Sequence, residues 1–536
     1  MLISKWYFFL GFLFITGNRV FAVTEDSEYW TQDAQTRLLQ RIATPLIETK
    51  AKNILFYLGD GMSLPTISAA RILKGQKVDK YEFGEEAELH MESFPFTGTS
   101  KTFCFDAQVA DSACSVTSYL GGTKANYGTI GLTTAVQRKS CPGQADTKNH
   151  VASLLSLAQA AGKSTGVITT TRITDASPAG TYGHVAERDW ENDAAIRRDN
   201  QDPELCDDLP EQLILREPGR NINVILGAGR KNFLHQNQTD PEYPNVRGER
   251  TDGKDLIQEW KASKNPTNSK YVNTKDELLA VDTLTTDFLL GLFEPDDRGY
   301  VDQLEGKNDP SLEDMVQVGI QILKKNPNGF FLFVEGGLID NAHHGNMAQR
   351  ALFETIEFDQ AIKLGDELTN DDDTLIVVTA DHAHVMSFSG HASRGHSILE
   401  VTDQFVETLD DLPYLTLSYA NGPGPWVDPE TGKRRNVTSD DFHAIDYKVA
   451  AAVPRRSETH GGDDVLIYAK GPFAHLLSGT HQQSYIPHVV WYAACIGPGA
   501  KHCDNHPGFD GAHGVHMNKS LSLMSILFII FFSRVI

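Results

Sequence analysis

Three apolar runs of strand length lie far apart in this chain, at residues 53–58, 330–334 and 375–379. Their hydrophobic positions are nearly continuous rather than alternating, which is typical of strands buried on both faces of a parallel sheet. Helical periodicity is clearest at 149–162, where apolar side chains recur on one face. The alternation of the two patterns predicts an α/β fold, a three-layer sandwich with helices on both faces of a large, mostly parallel sheet.

The same alternation continues elsewhere. It predicts further strands at 164–170, 223–226 and 464–468, and further helices at 312–323 and 347–368. Two stretches rich in proline, glycine and charged residues have no sustained period and are predicted to be surface insertions. They span 232–271 and 390–454. At 536 residues, the chain is long enough for one large domain with insertions or for two domains.

Each of the three apolar runs is followed by acid or imidazole side chains. These polar segments read GDGM at 59–62, DNAHH at 340–344 and ADHAH at 380–384. Ligand sites of parallel sheets lie beyond the carboxyl ends of the strands, so the segments are expected to meet in space. A solvated turn or a helix cap would explain any one of them alone. Three in the same topological position predict a site for divalent metal ions.

Spacing and residue type indicate which metals such a site would hold. Asp340 and His344 are four residues apart, so one helical turn places both on the same face, where they can share an ion. The adjacent Asp381 and His382 suit a strand end, and Asp60, between two glycines, could bridge two ions. Mixed carboxylate and imidazole ligands favour zinc, whereas ligands that are all oxygen favour magnesium.

Composition excludes one class of partner. A hydrophobic content of 40% indicates a globular chain. The net charge of −23, with no lysine-rich or arginine-rich block to offset it, argues against nucleic-acid binding.

Both ends of the chain carry the patterns of processing signals. Residues 1–22 combine a positive charge, an apolar stretch and a small-residue cleavage site, which predicts a secretory signal peptide. At the other end, the apolar segment 521–532 follows a polar spacer, an order typical of exchange for a glycosylphosphatidylinositol (GPI) anchor at Asp510 or Gly511. Residues 511–536 would then be removed. The alternative is a tail-anchored spanning helix, although the segment is shorter than the roughly 20 residues that a span needs.

Secretion makes the six cysteines candidates for disulfides. Cys495 and Cys503 enclose a short loop and are predicted to pair. Spacing alone leaves the pairing of the other four open, and these are Cys104, Cys114, Cys141 and Cys206. Asn237 and Asn436 begin glycosylation motifs and are acceptors where they are exposed.

Several longer motifs occur in a fixed order over nearly the whole mature chain. They read NILFYLGDGM at 53–62, DSA at 111–113, TTTR at 169–172, ASPAGTY at 176–182, GAGR at 227–230, FLFVEGG at 331–337, TADH at 379–382 and ETHGG at 458–462. In this order they resemble the alkaline phosphatases of the animal, membrane-anchored type. The resemblance implies one phosphatase domain at 23–510, which hydrolyses phosphate monoesters at alkaline pH through a phosphoserine, with zinc as cofactor.

The resemblance also implies a role for each residue that matches the family's motifs. One zinc would be held by Asp340, His344 and His460. A second zinc would be held by Asp60, Asp381 and His382. A magnesium ion would be held by Asp60, Ser177 and Glu335. Ser112 would be the nucleophile, and Arg188 would bind phosphate, which a planar guanidinium can do through two parallel hydrogen bonds.

A calcium site and a dimer are further implications of the resemblance. The calcium ligands would lie in a peripheral lobe at about 232–310, and they are Glu242, the carbonyl of Phe293, Glu294 and Asp309. Oxygen ligands drawn from loops suit calcium, and acidic loops without metal are the alternative. The stretch 390–454 would form a crown at the interface of a homodimer, and the segment 31–41 would reach across to the partner. The enzyme would act on the outer cell surface.

Two residues depart from the vertebrate pattern, which usually has histidine at both positions. They are Asp175 and Asn341, and we expect Asp175 to alter magnesium affinity and the pH optimum. The family's disulfides imply the pair Cys141–Cys206 as well as Cys495–Cys503. Cys104 and Cys114 lack that precedent and would form either a third disulfide or two free buried thiols.

Two other classes of function fit part of the sequence. A surface receptor could keep the fold without the chemistry, but the complete set of ligands with Ser112 and Arg188 argues against binding as the sole role. A sulfatase would need a Cys/Ser-x-Pro-x-Arg motif, and the run SLPTI at 63–67 ends in isoleucine instead. His343 and His384 adjoin the predicted ligands and are expected to have supporting or packing roles.

Overall fold

The computed structural model describes residues 25–404 and 408–503. Its centre is a 10-stranded sheet with the order β15-β2-β14-β8-β1-β7-β3-β4-β6-β5. The strands of this sheet are β1 (Asn53–Gly59), β2 (Phe96–Lys101), β3 (Ser164–Arg172), β4 (Val224–Ala228), β5 (Ser269–Val272), β6 (Phe288–Leu292), β7 (Phe330–Gly336), β8 (Thr374–Ala380), β14 (Val465–Lys470) and β15 (Gly479–Gln482). The seven strands from β8 to β5 run parallel, whereas β14 is antiparallel to both β8 and β2. The predicted α/β class with a mostly parallel sheet is confirmed.

Five short strands lie outside the central sheet. A three-stranded sheet joins β10 (Met386–Phe388), β11 (Leu417–Gly422) and β12 (Ala451–Pro454), and a two-stranded ladder joins β9 (Ala383–His384) to β13 (His460–Gly461). The first of these sheets joins a strand just before the predicted crown stretch, 390–454, to two strands within that stretch. The second brings a distant segment next to the carboxyl end of β8.

Helices of the unit from residue 46 onward flank the sheet. They are α2 (Leu64–Leu73), α3 (Ser112–Gly121), α4 (Cys141–Ala145), α5 (Leu154–Ala160), α6 (Ala176–Ala179), α7 (Asp193–Arg198), α8 (Leu209–Leu215), α9 (Leu256–Ser263), α10 (Lys275–Leu279), α11 (Leu312–Leu323), α12 (Leu338–His344), α13 (Ala348–Glu367) and α14 (Ile486–Ala494). The described residues 25–45 belong to a separate unit, which contains helix α1 (Ser27–Ala43), capped by Asp26.

The alternation of side chains along β1 divides the core into two layers. Ile54, Phe56 and Leu58 belong to a cluster with side chains of α3, α5, α8 and α14. Leu55 and Tyr57 belong to a second cluster, with side chains of α11 and α13. Successive residues of a strand point to opposite faces of the sheet, so the two clusters lie on its two sides. This is the predicted three-layer arrangement.

The predicted elements agree with the observed ones except at a few places. The helix expected from residue 149 begins only at Leu154, because the Ser153 hydroxyl caps it by accepting a hydrogen bond from the Ser156 N–H, 3.1 Å away. The stretch 232–310, expected to form a lobe, also supplies the edge strand β5 and its neighbour β6.

The predicted processing signals lie outside the described residues. This applies to the signal peptide at 1–22, to the anchor site at Asp510 and to the removed segment 511–536. Within the described ranges, no helix is both long and apolar enough to cross a bilayer.

Candidate metal centre and active site

The three acid and histidine segments meet at one edge of the sheet, as their positions in the sequence predict. Strand β1 lies between β7 and β8, and Gly59 is in register with Gly336 and with Ala380. Asp60 and Asp381 therefore follow directly from neighbouring strand ends. The site is the carboxyl edge of a parallel sheet, where ligand sites of this architecture are found.

A first triad of metal donors comprises Asp340, His344 and His460. The imidazole Nε2 of His344 lies 3.3 Å from the Asp340 carboxylate and 3.2 Å from the Nε2 of His460, which in turn lies 3.4 Å from Asp340. In tetrahedral zinc sites with bonds of about 2.0–2.1 Å, donor atoms are roughly 3.3–3.4 Å apart. The spacing of this triad fits one zinc ion.

The remaining contacts of this triad fix the orientation of its rings. His460 Nδ1 lies 2.8 Å from the Ala110 carbonyl, and His344 Nδ1 lies 2.7 Å from the Glu458 carbonyl. These contacts leave both Nε2 atoms turned toward Asp340. Hydrogen bonds of this kind set the tautomer of a metal-binding histidine.

A second triad comprises Asp60, Asp381 and His382. His382 Nε2 lies 3.0 Å from Asp381 and 3.6 Å from Asp60, and one donor atom of each residue lies within 4.8 Å of the others. Among the described residues, the buried Asp60 Oδ1 has no hydrogen-bond partner, and the buried Asp381 Oδ2 is contacted by His382 Nε2. Buried carboxylate oxygens without a partner are costly unless a cation satisfies them, so this donor set also fits a metal ion.

The electrostatics of the predicted magnesium ligands also indicate a cation site. Burial, followed by repulsion from Asp381 and Asp340, raises the pKa of Asp60 well above its ordinary value. Burial also raises the pKa of Glu335 to about 8. The Ser177 hydroxyl, on α6, is buried and has no hydrogen-bond partner in the part of the chain that the structure describes. These three groups supply oxygen only, which suits magnesium.

Ser112 opens helix α3 and faces the second triad. Asp111 caps the helix by accepting a hydrogen bond from the Cys114 N–H, and it leaves Ser112 as the first helical residue. The Ser112 Oγ lies 3.2 Å from His382 Nε2. A hydroxyl at a helix N-terminus, beside a donor triad, stands where negative charge is stabilised.

Arg188 lies between two carboxylates. One guanidinium nitrogen is 3.4 Å from Asp111 Oδ2, and another is 3.1 Å from Asp175 Oδ1. Asp175 also accepts a hydrogen bond from Arg172, at 3.0 Å. The other unusual residue, Asn341, donates to Asp297 at 3.1 Å. The two carboxylates beside Arg188 hold its planar group in one orientation.

The two histidines expected to have supporting roles differ in their contacts. His384 Nε2 lies 2.7 Å from Asp340, and its Nδ1 lies 2.6 Å from Glu458. His343 lies between the hydroxyls of Thr66 and Tyr419, at 2.9 and 2.8 Å. His384 therefore contacts a predicted zinc ligand directly, whereas both ring nitrogens of His343 are taken up by hydroxyl groups.

Sequence reasoning overlooked two residues of the site. Asp111 joins the nucleophile segment to Arg188, and Glu458 holds His384. Asp111 could have been found as the capping residue directly before Ser112. Glu458 lies two positions before His460 in the ETHGG motif.

The predicted calcium ligands also lie together. Glu294 accepts hydrogen bonds from the Tyr243 hydroxyl, at 2.6 Å, and from Lys307, at 3.2 Å. Burial, followed by the charge of Glu294, raises the pKa of Asp309 to about 7, and Lys307 Nζ lies 3.9 Å from the Asp309 Oδ2 atom. Glu242 pairs with Arg230, at 2.9 Å. Phe293 is buried directly after β6. Arg230 and Lys307 pair with these carboxylates, so the calcium site stays a prediction.

The cysteines and the glycosylation motifs complete the predicted residues. Three disulfides are present, and they join Cys104 to Cys114, Cys141 to Cys206 and Cys495 to Cys503. The alternative of two free thiols at Cys104 and Cys114 is therefore wrong. Asn237 and Asn436 are both exposed, as glycosylation requires.

Comparison with known proteins agrees with this geometry. The chain is 44% identical over 491 residues to the membrane-bound alkaline phosphatase of Bombyx mori, covering 90% of this chain and 88% of that protein. It is 45% identical over 498 residues to the human tissue-nonspecific isozyme, covering 91% and 92%. A solved structure, the alkaline phosphatase of Thermus thermophilus, has the same fold at a TM-score of 0.58 and 20% identity, covering 83% of this chain and 92% of that one. The sequence model described as alkaline phosphatase matches residues 51–496, and the chain belongs to the alkaline phosphatase family.

Proposed function

We propose that this chain hydrolyses phosphate monoesters through a phosphoserine at Ser112, with two zinc ions and one magnesium ion as cofactors. The observation that carries the proposal is the convergence of Ser112, both donor triads and Arg188 on one edge of the sheet. Each group alone has a structural explanation. Together they supply a nucleophile 3.2 Å from a metal donor, cation sites, and a guanidinium that contacts the residue before the nucleophile.

The chain's own residues account for binding and for the transfer of the phosphoryl group. The Arg188 guanidinium, held by Asp111 and Asp175, directs its remaining N–H groups at two oxygens of the phosphate. Ser112 Oγ attacks phosphorus in line, and the bond from phosphorus to the alcohol oxygen breaks. Water then attacks phosphorus from the side that the alcohol left and releases Ser112 with inorganic phosphate. Two inversions give net retention at phosphorus.

The two triads would hold zinc, and Asp60, Ser177 and Glu335 would hold magnesium. When bound, these ions lower the pKa of the serine hydroxyl and stabilise the charge that develops on the departing oxygen. Calcium would occupy the cluster of Glu242, Glu294 and Asp309.

The test is hydrolysis of 4-nitrophenyl phosphate at alkaline pH, combined with acid quenching. We expect turnover in the presence of zinc and magnesium, and a phosphorylated peptide that contains Ser112 after brief incubation with inorganic phosphate and quenching. Fragmentation mass spectrometry locates the modified residue. Turnover without any phosphopeptide from the quenched enzyme, or a phosphate on another residue, would contradict the phosphoserine.

A second prediction concerns the phosphate clamp. Arg188→Lys keeps the charge but loses the planar pair of donors, and a hydrogen bond to a charged group contributes about 1.5–3 kcal/mol. We expect the KM for 4-nitrophenyl phosphate and the Ki of inorganic phosphate to rise about 10- to 100-fold. Arg197→Lys, at a solvent-accessible guanidinium 3.5 Å from the buried Asp193 on α7, serves as the control and should leave both constants unchanged. If Arg188→Lys and Arg197→Lys had the same KM and Ki, Arg188 would be excluded as the residue that binds phosphate.

A third prediction concerns the unusual Asp175. Its negative charge is among the influences on Asp60 and Glu335, so replacing it with neutral histidine removes part of the field that attracts magnesium. We expect Asp175→His to retain less magnesium after gel filtration and to have a shifted pH optimum. Asp296→Asn, at an exposed carboxylate 3.5 Å from Arg172, is the matched control. Identical retention and pH profiles in parent and Asp175→His would rule out this role.

We also propose the location and assembly that the sequence predicts. The enzyme would be secreted, glycosylated at Asn237 and Asn436, and attached to the outer cell surface by a GPI anchor at Asp510. Its relative in Bombyx mori is described as membrane-bound, which supports membrane association. A homodimer, with the crown stretch 390–454 at its interface, is the proposed assembly.

A further inference from the structure

The segment at 102–111, which precedes the nucleophile, has no helix or strand. It ends in Asp111, the residue that caps α3 and contacts Arg188. One covalent bond ties its beginning to the helix, because Cys104 pairs with Cys114. Both cysteines are buried. The disulfide therefore closes a ring that contains Asp111 and Ser112.

The position of Asp111 depends on this ring. Its Oδ1 accepts hydrogen bonds from the N–H of Cys114, at 3.1 Å, and of Gly128, at 3.2 Å. Its Oδ2 faces Arg188, at 3.4 Å. The Cys104 sulfur lies 3.9 Å from Oδ1. Cys114 thus donates its backbone N–H to Asp111, and the sulfur of Cys104 lies beside the same carboxylate.

Three hydrogen bonds of the segment lie near solvent, and they add to the contact of its Ala110 carbonyl with His460 Nδ1, at 2.8 Å. The Phe105 N–H donates to the Ala125 carbonyl at 2.9 Å, and the Tyr127 N–H donates to Asp106 at 2.8 Å. Lys124 donates to the Phe103 carbonyl, at 2.6 Å. Phe105 itself is 64% exposed. Single hydrogen bonds near solvent contribute little net stability, whereas the disulfide is a covalent tie beside Asp111 and acts together with the hydrogen bonds of that carboxylate.

We propose that the Cys104–Cys114 disulfide is a positioning element of the phosphate site. It holds Asp111, and through Asp111 it holds the guanidinium of Arg188; opening it weakens phosphate binding and makes the site sensitive to dithiols. In that reaction a dithiol breaks the S–S bond, each cysteine sulfur gains a proton, and the dithiol is oxidised to a cyclic disulfide. The inference rests on the proposed function, because Arg188 must bind phosphate for the effect to appear.

The test compares two double variants of the metal-loaded chain. Cys104→Ser/Cys114→Ser removes the proposed element, and Cys495→Ser/Cys503→Ser removes the disulfide that follows α14. We expect the first variant to raise the KM for 4-nitrophenyl phosphate and the Ki of inorganic phosphate about 10-fold, with a smaller change in kcat and unchanged zinc content. The second variant should have the parent's KM, Ki, kcat and zinc content. If both variants had the parent's KM and Ki, the inference would be overturned. A parent without turnover would overturn the proposed function instead.

A double-mutant cycle separates positioning from a general loss of structure. In the Asp111→Asn background the carboxylate that faces Arg188 has lost its charge, so removing the disulfide should then change the Ki of phosphate less than twofold. Additive effects would show that the disulfide does not act through Asp111. If the serine variant does not fold, the parent is titrated with dithiothreitol at fixed free zinc and magnesium, and thiol labelling reports which disulfide has opened. Phosphate affinity must then fall with the opening of Cys104–Cys114, and an unchanged affinity would refute the proposal.

Discussion

Replacing Ser112 with alanine is expected to lower kcat for phosphate monoesters by at least about 10³-fold, because it removes the oxygen that accepts the phosphoryl group. Phosphate itself should still bind, since Arg188 and the donor triads are untouched. The separation of lost turnover from retained binding distinguishes a missing nucleophile from a collapsed site. Steady-state kinetics give kcat, and isothermal titration with inorganic phosphate gives the affinity.

The same helix supplies the control for this substitution. Ser118 is buried one and a half turns further along α3, and its hydroxyl donates to the Cys114 carbonyl at 3.3 Å. Ser118→Ala removes a buried hydroxyl of the same kind without touching the site, so we expect near-parental turnover. Near-parental turnover in Ser112→Ala as well would remove the assignment of the nucleophile.

The sequence predicted those parts of the site that depend on local geometry. Continuous apolar runs identify strands buried on both faces, and the residues directly after them must lie at the carboxyl edge of the sheet. The four-residue spacing of Asp340 and His344 predicts their contact, because both lie on one turn of α12. Neither inference needs knowledge of the rest of the fold.

Contacts between distant segments could not be found in this way. His460 reaches the triad because β13 pairs with β9, and no periodicity encodes a two-residue ladder. Six cysteines allow fifteen pairings, so the bond between Cys104 and Cys114 needed the folded chain. The support that Asp111 gives Arg188 is of the same type, since it joins residues 77 apart in the sequence. In each case the tertiary contact sets the function of a residue whose local pattern is unremarkable.

Removing the metal ions with a chelator is expected to abolish turnover and to lower the melting temperature by several degrees. Asp60, Asp340, Asp381 and Glu335 are buried close together, and they influence one another electrostatically. Without cations their charges repel in a poorly solvated place, whereas ions bound only by the folded state stabilise it in proportion to RT ln(1 + [L]/Kd). Zinc with magnesium should restore both turnover and melting temperature. Full turnover after chelation, with no metal left by elemental analysis, would contradict the metal centre.

A single substitution tests whether the two triads are separate sites. His460 belongs only to the first triad, so His460→Ala should lose one zinc ion per chain and most of its turnover, while Asp60, Asp381 and His382 keep the second ion. Mass spectrometry of the bound metals counts the ions directly. The half-buried His481, which stacks on Tyr485 at 4.3 Å, provides the control as His481→Ala and should keep the parental metal content. Loss of both zinc ions in His460→Ala would mean that the triads fold and bind as one unit, because the second donor set would then depend on the first ion for its geometry.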